Sequence, residues 1–169
     1  DSDTVSPEFK ERRRFAHLHC YDLSKFAEIY ALYFGTLIRQ LSVIITYSIG
    51  EEPKLQNQDV VILKIPNKGT DIGGKFCMVH YLTSNGFGYD TILFLHSKSQ
   101  ASRRKLYFDP FVSSAKQLTK VLAASGKCDG IFPDLCGNGD YDLGKFTTNQ
   151  LYVDEMNSFL ELEQRTVRF

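Results

Sequence analysis

Four short segments of this 169-residue chain bring together side chains able to do chemistry. The first is residues 66–75, PNKGTDIGGK. Gly69, Gly73 and Gly74 let a backbone turn tightly and come close to a ligand. A helix beginning there would aim unpaired N–H groups at whatever lies above it. Asn67 offers an amide, Lys68 and Lys75 add positive charge, and Asp71 adds a carboxylate. The combination suits the ribose or phosphates of a nucleotide, although an ordinary turn between strand and helix also uses glycines for geometry alone. It is neither GxGxxG nor GxxxxGK[ST], so the dinucleotide and P-loop motifs are absent.

The second segment is residues 94–99, FLHSKS, where an apolar run ends abruptly in His96, Ser97 and Lys98, with Arg103 and Arg104 soon after. Imidazole can bind a metal or a phosphate. Lysine and arginine can neutralise a diphosphate leaving group; the plainer alternative is a solvated basic loop. The third is the His17-Leu18-His19 triplet. Residues two apart on a strand face the same way, so an HxH can chelate a metal, as in metal-dependent hydrolases. Such sites need further ligands, and only His80 and His96 remain among the histidines. Two half-buried strand histidines are the simpler reading, with His19 near enough to the strand end to touch a ligand. The fourth is the adjacent pair Asp154 and Glu155, on an amphipathic stretch near the end of the sequence. Either carboxylate could act as general base on an acceptor hydroxyl, or simply lie on a solvated helix face. The DxD-like triplets at 1–3 and 140–142 fall in a polar tail and a Gly- and Asp-rich loop and are discounted as metal sites.

The elements that would hold these groups follow from the hydrophobic pattern. Residues 1–14 are polar and read as a tail or linker, leaving 15–169 as a single domain. Strands are expected at 14–21, 41–47, 59–65, 89–95 and 128–133. Helices are expected at 25–41, 76–82, from 100 with a break at Pro110 and a resumption over 113–124, and finally at 149–163. Alternation of this kind predicts an α/β fold with a mostly parallel central sheet flanked by helices. In such sheets ligands bind beyond the carboxyl ends of the strands. The chemistry is therefore expected at 20–23, 47–51, 66–75, 96–104 and 134–148, where the loop at 135–148 would close over a ligand.

Composition sets bounds. Apolar residues make up 43% and charged residues 24%, as in ordinary globular proteins, and 20 basic residues balance 20 acidic ones. No general affinity for nucleic acid or membrane is implied, so an anion site must be local. The four cysteines show no CxxC spacing and read as reduced, which favours a cytoplasmic setting. The opening residues do not resemble a signal peptide, and no run approaches a membrane span.

The order of these pieces resembles glycosyltransferases of the A-type fold. There an N-x-G turn follows the third strand, and a helix leads to an apolar strand ending in a DxD that holds a divalent metal. Asn67-Lys68-Gly69 matches the turn and residues 91–95 match the strand, while His96-Ser97-Lys98 occupies the DxD position. The rhamnan-synthesis family of glycosyltransferases is more similar, with N-x-G-x-D-I followed by H-[ST]-K. Residues 67–72 and 96–98 fit both elements. The chain from Arg14 onward also resembles glycosyltransferase domains encoded by large chlorella viruses, which build capsid glycans.

The resemblance implies a UDP-sugar donor, a glycan or glycoprotein acceptor and Mn²⁺ or Mg²⁺, with Asp71 and His96 as metal candidates. It places Thr46, Tyr47 and Ser48 near the base and ribose. Lys98 with Arg103 or Arg104 would replace part of the metal's charge, and Asp154 or Glu155 would be the base. From its size and abrupt ends the chain is expected to be a piece of a larger multidomain enzyme with further catalytic domains, in the cytoplasm of an infected cell if viral. The rival readings are a metal-dependent hydrolase built on His17 and His19, and a non-catalytic nucleotide- or glycan-binding module.

Overall fold

The computed structural model describes residues 5–52, 55, 60–68, 70–97 and 100–126, without the side chains of Lys25, Thr70 and Asp71. The expected strand at 128–133, the loop at 135–148 and the last helix at 149–163 lie outside the described residues. Within the described part the architecture is α/β. Four strands, β1 (Arg14–Asp22), β2 (Ser42–Ile49), β3 (Val60–Lys64) and β4 (Thr91–His96), form one sheet in the order β3-β2-β1-β4. All three pairings are parallel. No helix among the described residues is long and apolar enough to cross a membrane.

Strand alternation sends side chains to two separate cores. Ala16, Leu18, Cys20, Val43, Ile45, Tyr47, Leu93 and Leu95 face one layer of helices. That layer holds α2 (residues 26–38, preceded by the 3-10 turn Leu23–Lys25), α4 (Ala101–Val112) and α5 (Ala115–Ser125). Phe15, Ile44 and Val61 face the other layer, where Met78 and Leu82 of α3 (Thr70–Ser84) pack with Phe9 and Phe87. The chain order explains the two layers. β1 to β3 step outward in one direction, and β4 then returns to the far side of β1. Right-handed crossovers put the helices of the two directions on opposite faces.

The structure differs from the sequence expectations at three places. First, residues 7–14 are not a free tail. Ser6 caps α1 (Pro7–Glu11) by accepting from the Phe9 amide, and Pro7 opens the helix. Phe9 is fully buried, edge-on to Phe15 and Phe87. Arg12 donates to the carbonyls of Ile38 and Leu41, closing the end of α2. A single aromatic in a polar stretch carries no periodicity, which is why the pattern hid it. Second, α3 begins at Thr70, not at residue 76, so Gly73 and Gly74 lie in its first turns. Third, the break after α4 falls at Ser113–Ser114 and not at Pro110. Pro110 sits within the last turn of α4, and Ser114 caps α5 by accepting from the Gln117 amide.

Candidate functional site at the carboxyl edge of the sheet

Between β1 and β4 the strand order reverses, and crevices at such reversals are where open α/β sheets bind ligands. His19 and His96 are partners in register at this point. Their rings stack, with centroids 5.5 Å apart and planes 15° from parallel. His19 is nearly buried and His96 half-buried. The Ser97 amide donates to the His19 carbonyl, which holds the chain leaving β4 beside β1.

Thr46, on β2 opposite His19, joins the two strands chemically. Its hydroxyl lies 2.9 Å from His19 Nδ1 and 2.9 Å from His17 Nε2. The HxH pair thus faces one side of the sheet, as alternation predicts, but its nitrogens meet at a hydroxyl. His17 is fully buried, with its ring edge-on to Phe94 at 5.8 Å. Burial pushes its pKa down to about 3, helped by the positive potentials of His19, Lys75 and His96. His17 is therefore neutral at neutral pH.

Helix α3 closes over this group through Gly74. A Cβ there would come within 2.5 Å of His19 Nδ1 and 2.9 Å of Thr46 Oγ1, so only glycine allows the helix backbone so near. Lys75, next along, is half-buried with its ammonium 5.4 Å from the centre of the Phe94 ring. Gly74, expected to shape a turn, instead lets a helix lie on His19 and Thr46. A local reading of residues 66–75 could not show this, because the contact is with strands more than twenty residues earlier.

The other expected site residues are distributed as follows. Ser48 follows Thr46 on the same face, and its hydroxyl oxygen is enclosed without a hydrogen-bond partner. Tyr47 points into the opposite core, with the Lys64 ammonium 6.0 Å from its ring. Its side chain is thus separated by the sheet from Thr46. Asn67 and Lys68 are exposed in the turn between β3 and α3, and Arg103 is exposed on α4. Arg104 is buried and ion-paired with Glu28 of α2, on the face away from His17 and Thr46. It ties two helices together. Asp71 lies in the first turn of α3, but its carboxylate, like Lys98, Asp154 and Glu155, falls outside the description.

The metal expectation meets a definite geometry. Among the described residues no group of three His, Cys, Asp or Glu side chains is placed to hold a metal ion. Thr46 occupies the place where a cation shared by His17 Nε2 and His19 Nδ1 would sit. His17 and His19 by themselves therefore do not fit a metal, while the carboxylate of Asp71, expected to share one with His96, lies outside the described residues. What the arrangement does offer is hydrogen-bonding imidazole beside a lysine, at the edge where ligands approach. Of this site, His17 was expected only in the hydrolase reading, and Gly74 only as part of a ligand-binding turn. Comparison with known proteins found no matching family model, curated protein or solved structure.

Proposed function

We propose that this chain is a glycosyltransferase domain of the A-type fold, moving a sugar from a UDP-sugar to a glycan hydroxyl. The observation that carries the reading is the His19–His96 pair, in register at the reversal of a parallel β3-β2-β1-β4 sheet. That order is the first part of the doubly wound arrangement that binds nucleotides at the same point. The residues that resemble the two motifs of the family follow β3 and β4, at the same carboxyl edge of the sheet.

On this reading the base and ribose lie by Thr46 and Ser48, and the diphosphate lies across the start of α3 and the end of β4. Bond cleavage at the anomeric carbon leaves negative charge on the departing UDP. Lys75, Lys98 and Arg103 are the cations assigned to it, with His19 and His96 as hydrogen-bonding groups. Fixed charges of this kind act in the transition state without reorganising. Deprotonation of the acceptor is assigned to Asp154 or Glu155.

Calorimetric titration with UDP tests the proposal, with and without Mn²⁺ and with GDP and CMP as controls. Selective UDP binding, weakened about tenfold or more by His96→Ala and Asp71→Ala, is the expected result. Unchanged affinity in both variants would remove the site assignment. No affinity for any nucleotide would remove the function.

A further inference from the structure

The hydroxyl of Thr46 has one proton, yet it faces a ring nitrogen of His17 and one of His19. It can donate to only one of them. The other nitrogen, if protonated, donates to the hydroxyl oxygen. Two arrangements of neutral rings use the hydroxyl as both donor and acceptor, and they differ at His17 Nδ1; a third, with both rings donating to the oxygen, orphans the hydroxyl proton of buried Thr46. In the first, His17 carries its proton on Nε2 and donates to Thr46, whose hydroxyl donates to His19 Nδ1. In the second, the proton of His17 sits on Nδ1. That atom is enclosed and has no hydrogen-bond partner. A bare lone pair left there is an under-satisfied acceptor, whereas an N–H left there is an orphaned donor, the rarer and costlier condition in protein interiors. His17 is fully buried, which also disfavours the doubly protonated ring.

We infer that His17 and Thr46 are positioning residues that hold His19 in a single tautomer, protonated on Nε2, so that its ring presents a hydrogen-bond donor at the sheet reversal. The relay runs one way: His17 Nε2–H to Thr46 Oγ1, then Thr46 O–H to His19 Nδ1. Gly74 lets the α3 backbone close over both Thr46 and His19, leaving no space for a side chain to intervene. The ligand chemistry follows from the tautomer. An N–H donor, on a ring stacked against a second imidazole, suits an anionic oxygen such as that of a nucleoside diphosphate. The tautomer rests on geometry alone. The identity of its ligand rests on the glycosyltransferase reading above.

Long-range proton–nitrogen NMR of the ¹⁵N-histidine-labelled chain at neutral pH tests the relay. The four rings are assigned by single His→Gln variants. His19 is expected wholly as the Nε2–H form, with Nδ1 at the shift of a nitrogen that accepts a hydrogen bond. An Nδ1–H form, or rapid exchange between tautomers, would overturn the inference. Thr46→Val removes the hydroxyl at nearly constant shape, and should move the His19 Nδ1 signal off the position of a nitrogen that accepts a hydrogen bond and weaken UDP binding about tenfold. Thr46→Ser should restore both. A His19 signal identical in Thr46→Val and in the parent chain would also overturn it. If Thr46→Val fails to fold, the parent spectrum and Thr46→Ser still decide the tautomer. A fixed Nε2–H tautomer in a chain that binds no UDP would support the relay and refute the glycosyltransferase reading instead.

Discussion

His17 shows how burial alone changes what a residue can do. Two residues from His19 and of the same type, it is deep enough that its protonation is suppressed to about pH 3. The consequence for stability has a definite sign. The unfolded chain takes up a proton at this ring near the ordinary histidine pKa of about 6.5, whereas the folded chain does not until about 3. Above that window neither state is charged and the ring contributes nothing. As pH falls through the window the unfolded state binds the extra proton, and stability declines by an amount on the order of a few kcal/mol. Urea titrations across this range should show His17→Gln losing less stability on acidification than the parent chain. Parallel pH profiles for the two would contradict the assignment. The same burial, on the other face, pushes the Cys20 thiol up to about 12 and keeps it from acting as a thiolate nucleophile.

Helix α3 illustrates how an element can be placed against its own propensity. Two adjacent glycines weaken a helix by roughly 0.8–1.0 kcal/mol each relative to alanine. The helix nonetheless runs through Gly73 and Gly74, because Gly74 permits contact with His19 and Thr46 that no other residue allows. Gly35 in α2 is the control. It is exposed and helical, and a Cβ there would meet nothing within 4 Å. Gly35→Ala should raise stability by about 0.5–1 kcal/mol. Gly74→Ala should lower it by about 1–3 kcal/mol through overpacking. Denaturant midpoints measure both, and histidine ring NMR would show whether Gly74→Ala also displaces His19. An equal gain from both substitutions would mean that α3 does not press on the histidines.

At the scale of the described unit, the sheet separates two cores that share no side chain, and the smaller one depends on a segment of unremarkable composition. Phe9 is buried where α1 meets Phe15, Phe87 and the α3 layer. Phe9→Ala should destabilise by about 3–5 kcal/mol, as deletion of a buried aromatic does. Exposed Phe76, on α3, should tolerate alanine within about 0.5 kcal/mol. Thermal unfolding of the two variants compares them directly. Similar midpoints would return residues 7–14 to the status of a tail.

The alternation of apolar runs with helical periodicity was enough to establish an α/β chain with a parallel sheet. The positions of all four described strands followed to within a few residues, because period-two and period-3.6 patterns are local properties. It also placed His19, Thr46 and His96 at strand ends, where ligands bind. What it left open was which of those ends would be neighbours. The strand order puts β4 beside β1, and only then does His96 stack on His19. Parallel register puts the hydroxyl of Thr46 between two histidines that the sequence offered as a chelate. Tyr47 and Arg104 went the other way, into the opposite core and an ion pair with Glu28, because pleat and helix phase decide which face a side chain takes. Non-local pairing carries no signature in a single chain's composition or spacing, so the members of the site were legible and their connections were not.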